Sequence, residues 1–376
     1  MQHPISEESV SPQIAKVCGK NTPPKLKQMA AAGLAPLPST DLVTALYMLS
    51  YDKDTAIADK ATSSLLGLPE NDLVGAIEQI NNAGVLDGLT RRLHGQVSPL
   101  EKILLNRAAS PETVAWMAKN IQHDPVLEII AANEQRLLEF PYIIEALYNN
   151  KFVRMSTADR AVELAIRNNV ELKGISCFEE LKAALKGDPQ TPKADDPRSD
   201  DETFKKSLEL QIWKELDEKA IGEAYDEIDG NKPKGETAKK IETLEQSIAR
   251  MSISSKIRTA TLGSSSQRAI LIRDSNKLVS MAVVQSPGLS EAEVVLYSKY
   301  RSLPEEAVRY MARNREWTKH YSVKLNLVRN PRCPLEISMR FLTYLRNNDV
   351  RSLEKDKNIP QAIAVAAKKL RNKRMK

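Results

Sequence analysis

Four histidines come first among the residues that could do chemistry, because a neutral imidazole binds metals and moves protons. His3, His94, His123 and His320 have no cysteine or carboxylate nearby at metal-ligand spacing, so no zinc site is predicted. Asp52-x-Asp54 has the spacing of a metal-binding DxD but stands where a helix cap is expected, and capping accounts for it. Gly263-Ser264-Ser265-Ser266 precedes a helical segment and would offer free N–H groups to an anion. It lacks the Gly-Lys-Ser/Thr of a phosphate-binding loop, which leaves a turn followed by an N-cap. Three isolated cysteines, Cys18, Cys177 and Cys333, cannot make a disulfide framework and suit a reducing compartment. Cys177 and Cys333 read as core thiols. The expectation is a cytoplasmic protein that is not an enzyme, with no catalytic residue, cofactor or metal.

Basic side chains form the stronger pattern. Arg309, Arg313, Arg315, Lys319, Lys324, Arg329 and Arg332 fall within 24 residues, with Trp317 and Tyr321 among them. Arg309, Arg313 and Lys319 are expected to share a helical face, and Trp317 and Tyr321, four apart, to pack between helices. The C-terminal stretch adds Lys368, Lys369, Arg371, Lys373, Arg374 and Lys376. Cations interleaved with aromatics can track a phosphate backbone and stack bases; they can equally hold an acidic protein surface or be solvated. The terminal group could also complement a helix dipole or grip anionic lipid. From Ser252 to Lys376 there are 25 Lys and Arg against 10 Asp and Glu, a net +15. Met1 to Met251 carries 30 against 39, a net −9. Such asymmetry points the second part of the chain toward an acidic partner, or toward the acidic part of its own chain.

The elements that must position these residues are short. With 5% aromatics and 14 glycines in 376 residues, composition favours helix over strand and turn. No apolar run is long enough to span a bilayer. Segments end repeatedly in an apolar residue near an asparagine, at Asn106, Asn120, Asn133 and Asn149, and again at Asn314, Asn330 and Asn347. Asparagine tolerates the left-handed conformation that ends helices, and its amide can bond orphan carbonyls. A ladder of such amides reading a bound peptide backbone is the alternative. Helix starts are expected at Ser39, Asp54, Ser110-Pro111, Ser290 and Ser302, the last two with Glu at capping-box distance. Helices so short cannot bury their apolar faces alone, so neighbours must stack.

Composition divides the chain into a flexible leader at 1–25, an N-terminal helical-repeat domain at 26–186, an acidic linker at 187–250 and a basic helical-repeat domain at 251–376. Asp188 to Asp201 carries three prolines and almost no apolar side chain. Phe204, Leu208, Ile212 and Leu216 recur every fourth residue, predicting an amphipathic helix over 201–217 that could dock on the basic array. Ile241, Leu244, Ile248 and Met251 make a second, narrower apolar seam.

Asp52-Lys53-Asp54-Thr55-Ala56-Ile57-Ala58-Asp59-Lys60-Ala61 resembles the inter-helix turn and second-helix start of HEAT-type repeats. Arg273 to Val283 through Ser286-Pro287, and Arg329-Asn330-Pro331-Arg332-Cys333-Pro334, are similar to the leucine-rich variant repeat. The chain as a whole resembles a bacterial family of helical-repeat proteins, a resemblance that implies no activity. The repeats imply an all-α, α-solenoid-like fold of two arrays whose use is to hold a partner. The expected function is a non-catalytic scaffold or adaptor binding a protein through the basic second array. The alternative is an RNA- or DNA-binding protein using the same surface.

Overall fold

The computed structural model describes residues 5, 10–19, 21–186, 200, 201, 204 and 245–374. They form helices and connections, with no strand among them, as expected of an all-α chain. Two compact units are present, Met1–Leu172 and Lys173–Lys376.

The first unit holds α1 (Pro12–Cys18), α2 (Pro24–Ala31), α3 (Ser39–Leu49), α4 (Thr55–Leu66), α5 (Glu70–Gln79) and α6 (Ala83–Arg92). It continues with α7 (Val97–Leu105), α8 (Pro111–Asn120), α9 (Asp124–Ala132), α10 (Glu134–Glu139), α11 (Tyr142–Asn149) and α12 (Met155–Arg167). Helices α1, α3, α5, α7, α9 and α12 touch in succession, while α6, α8 and α11 form a second row and α2 packs on α4. Helix α8 shows how the residues build the element. Ser110 Oγ accepts from the Thr113 N–H at 3.2 Å and Pro111 follows at the first helical position. Val114, Met117 and Ala118 then fall on one face and are fully buried. Burial of each of the two larger side chains contributes about 1.5–3 kcal/mol.

The second unit contains α13 (Phe178–Lys186), α14 (Ile253–Leu262), α15 (Ser265–Leu271), α16 (Lys277–Val284), α17 (Glu291–Tyr297) and α18 (Glu305–Arg313). A 3₁₀ turn (Trp317–Lys319) leads to α19 (Tyr321–Arg329), α20 (Leu335–Leu342), α21 (Asn347–Lys355) and α22 (Gln361–Arg374). Helices α14, α16 and α18 pack in series, α17 lies on α19, and α19, α20 and α22 continue the stack.

Several boundaries differ from expectation. Helix α1 lies within the stretch expected as a leader, with Ser11 as its cap and Ile14 and Val17 buried. Helix α13 belongs to the second unit because Cys177, Phe178 and Leu181 are buried there. Cys177 Sγ stands 3.3 Å from Thr261 Oγ1, and Gln285 donates to Glu180 at 2.8 Å. Asn133 ends α9, and its side chain caps α10 by accepting from the Arg136 N–H at 3.1 Å. Helix α6 carries Gly84 and Gly88, which dilute its apolar period. Gly88 is there for contact: a Cβ on it would stand 2.0 Å from the Tyr47 ring. Most of the 187–250 linker lies outside the described residues, as do Leu208 to Leu216 and the Ile241–Leu244 part of the second seam.

Of the two expected ways for asparagine to end a helix, amide bonds to carbonyls are seen at Asn106, Asn150 and Asn330 and left-handed backbone is not. Among the described non-glycine residues only Asn169 has a positive φ. Asn106, Asn150 (not Asn149) and Asn330 are C-caps in extended backbone. Each side-chain amide reaches into an earlier turn. Asn106 Nδ2 donates to the Ile77 and Ile80 carbonyls at 2.8 and 2.9 Å. Asn150 donates to those of Ala118 and Ile121 at 2.8 and 2.9 Å. Asn330 donates to those of Ser298 and Tyr300 at 3.3 and 2.9 Å. In all three the Oδ1 accepts from the N–H two residues on. The orphan carbonyls of one helix are thus satisfied by the cap of a later one, and these amides are not available to a bound peptide.

Candidate interaction surface

Helix α18 buries Ala307, Val308, Met311 and Ala312 and leaves Glu305, Glu306, Arg309, Tyr310 and Arg313 outward. This alternation follows from the helical period: with the apolar residues at i, i+1, i+4 and i+5, the charged ones must share the opposite face. Arg309 pairs with Glu305 one turn back, an exposed contact of small energetic weight. Lys319 is not on that helix but in the following 3₁₀ turn, where it pairs with Glu316. Its expected face-sharing with Arg309 and Arg313 therefore does not hold, because Asn314 ends α18 and turns the chain. Trp317 meets Tyr310 edge-to-face at 6.0 Å. Tyr321 begins α19, donates its hydroxyl proton to Asp349 and accepts from the Arg346 N–H at 3.0 Å. It clips α19 to the α20–α21 connection.

The remaining expected contact residues divide sharply. Lys324 Nζ lies 5.3 Å from the Tyr344 ring. Arg329 Nη2 reaches Ser352 at 3.4 Å. On α22, Arg371 is ion-paired with Glu354 at 2.5 Å. Arg374 donates to the Leu345 carbonyl at 2.7 Å, the Thr343 carbonyl at 2.6 Å and Asn347 Oδ1 at 3.0 Å. Arg371 and Arg374 therefore hold the last helix in place and contribute little to a binding surface. That leaves Arg313, Arg315, Arg332, Lys368, Lys369 and Lys373 exposed with no salt-bridge partner among the described residues.

Composition-led reading overlooked the face beside Arg332. Helix α20 exposes Leu335 (47%) and Met339 (37%), and Tyr344 just after it is 64% exposed. Arg340 and Arg346 are exposed on the same segment. The available signal was that Leu335-Glu336-Ile337-Ser338-Met339-Arg340-Phe341-Leu342 is apolar on more than one side, more than one packed face requires.

Buried charge in the second unit was also unforeseen. Arg268 forms a two-toothed pair with Glu293, Nε to Oε1 at 2.8 Å and Nη2 to Oε2 at 3.0 Å. Tyr297 donates to Glu293 Oε1 at 3.1 Å and the Ser290 N–H to Oε2 at 2.8 Å. Burial would raise the Glu293 carboxyl, but the Arg268 guanidinium and the Ser290 amide outweigh it and hold it below its ordinary value. Burial, reinforced by the Glu293 charge, pushes the Tyr297 phenol well up. Both carboxylate oxygens are occupied and the residue is 4% exposed, so Glu293 is poorly placed to accept a substrate proton. The signal was partly present, for Ser290 and Glu293 do form the expected capping box. Ser302 and Glu305 do not; Pro304 is the cap there.

The other chemical candidates are absorbed by local structure. Asp52 pairs with Lys27 at 2.7 Å and accepts from the Asp54 N–H, while Asp54 caps α4. Gly263 to Ser266 forms a capping box between Ser264 and Gln267, and Arg268 donates to the Gly263 carbonyl at 2.8 Å. Among the described residues no three His, Cys, Asp or Glu side chains converge as metal ligands. No helix there is long and apolar enough to cross a membrane. Of the expected docking helix at 201–217, only Asp201 and Phe204 are described. Phe204 is buried, 5.7 Å from the Arg258 guanidinium on α14. Asp200, just before it, accepts from Ser255 Oγ at 2.8 Å and the Ser252 N–H at 3.2 Å. These contacts are to α14 and its cap. Comparison with protein-family models, with curated proteins and with solved structures finds no match to this chain.

Proposed function

We propose that this chain is a non-catalytic scaffold, an α-solenoid of HEAT-like or leucine-rich-variant character, that holds an acidic protein on the outward face of its second unit. The supporting observation is that Arg313, Arg315 and Arg332 stand exposed without salt-bridge partners among the described residues in a region of net +15. Unpaired cations on a rigid helical stack attract an acidic surface and orient it before close contact. Three free cysteines suit a reducing compartment such as the cytoplasm.

Nucleic acid is the second reading, favoured by one feature: Lys324 over Tyr344 leaves a largely exposed ring beside a cation, where a base could stack. Affinity capture with the full chain separates the two. A protein that is retained after nuclease treatment and lost with Arg313→Glu, Arg315→Glu and Arg332→Glu together is the expected result. Retention abolished by nuclease, or untouched by the charge reversal, overturns the scaffold reading.

A further inference from the structure

Among the described residues of the second unit, helix α20 leaves two large apolar side chains, one turn apart, partly uncovered near exposed cations. Its buried side is complete: Ser338, Phe341 and Leu342 face the core. Leu335 and Met339, one turn apart, flank that buried side and are 47% and 37% exposed, and residues at that spacing are surface neighbours. Arg332 stands in the turn that leads into α20, and Arg340 follows Met339 with its guanidinium 5.4 Å from the Phe341 ring; both are exposed and have no salt-bridge partner among the described residues. Tyr344, just past the end of α20, is also exposed and carries Lys324 against its ring at 5.3 Å. Glu336 is the only acid on the helix. An apolar strip between cations asks for the inverse pattern: apolar anchors flanked by carboxylates, presented one helical turn apart. Nucleic acid matches the cations but offers nothing to cover Leu335 and Met339.

Resting on the scaffold reading, we propose that the exposed side of α20, with Arg332 before it and Tyr344 after it, is the docking face for an acidic amphipathic helix of a partner protein. Leu335 and Met339 take its apolar side chains, and Arg332, Arg340 and Lys324 meet its carboxylates. Charge directs the encounter, while the two apolar residues supply selectivity between one acidic helix and another.

The test uses the full chain and three labelled probes at one salt concentration. The first is a synthetic helix with Leu at i, i+4, i+7 and i+11, Glu on the flanking positions and Ala elsewhere. The second has every Leu replaced by Ser at unchanged charge, and the third is a single-stranded oligonucleotide. The Leu-bearing helix is expected to bind at least about tenfold more tightly than the Ser control. Leu335→Ser with Met339→Ser should erase that difference, and Arg332→Glu with Arg340→Glu should weaken both acidic peptides. Both substitution pairs change exposed side chains, so circular dichroism should report an unaltered fold. Equal binding of the two peptides, or a Leu preference that survives Leu335→Ser with Met339→Ser, overturns the docking face while leaving the acidic-partner reading standing. Binding of the oligonucleotide with neither peptide, or of no probe, overturns the docking face; the oligonucleotide result also overturns the scaffold reading.

Discussion

The two units share a stapling device and differ in what they bury. Asn106 and Asn150 in the first, and Asn330 in the second, each join two carbonyls of an earlier turn to a later helix end. Yet the buried polar residues of the first unit are Thr, Ser and Asn, without a charged group among the described residues. The second buries Arg258, Arg268, Glu293 and Asp200. The staple satisfies backbone that any short helix stack leaves open, so it can recur wherever helices of this length meet. Buried ions need specific partners, and they restrict which helix can sit beside which. One unit is thus held together by a repeatable backbone contact with an apolar core. The other adds a pairing that only particular residues satisfy.

The largest expected effect tests that contrast directly. Glu293→Gln leaves Arg268 buried and half-paired and should destabilise the second unit by about 3–5 kcal/mol, read as an early transition in urea unfolding. Replacing both partners, Arg268→Met with Glu293→Leu, should cost far less; an equal loss would show that the pair is not what matters. The same interaction has a pH signature. Because the folded Glu293 carboxyl lies below its ordinary 4.5, its contribution is full above about that pH and is lost as pH falls through the folded value. A second unit as stable at pH 3 as at pH 6 would contradict this.

A smaller effect probes the staple that both units share. Asn150→Ala strands the Ala118 and Ile121 carbonyls in a site 3% exposed and should cost about 2–3 kcal/mol. Asn120, which is exposed and bonds only within its own helix, should change stability by less than about 0.5 kcal/mol on replacement by Ala. Hydrogen exchange at the ends of α8 and α11 distinguishes them, and equal protection in the two variants would remove the staple from the account. Smallest of all, Arg313→Glu with Arg315→Glu should leave unfolding within about 0.5 kcal/mol of the parent. A large loss would mean that these cations hold the fold rather than face a partner.

Much of the architecture was legible in local chemistry. Ser110-Pro111 and Ser290 with Glu293 act as helix starts because a hydroxyl and a nearby carboxylate satisfy orphan N–H groups without distant help. Helix α6 was illegible because its Gly88 answers to Tyr47, far off in sequence. Ser302 misled because Pro304 fixes the backbone that begins α18. On the candidate surface, the cluster of cations was legible as composition, but not which of them were free.

The all-helical class, the helix starts at Ser110-Pro111 and at Ser290 with Glu293 and the excess of positive charge after Ser252 were settled by the sequence itself, because capping and net charge depend on near neighbours and counting. Tertiary structure alone decided what each charge meets: Arg374 is spent on backbone carbonyls near Leu345, Arg268 is sealed against Glu293, and Arg332 stays free beside Leu335. A pairing across dozens of residues depends on packing geometry that no local pattern encodes, and so does the exposure of one face of α20.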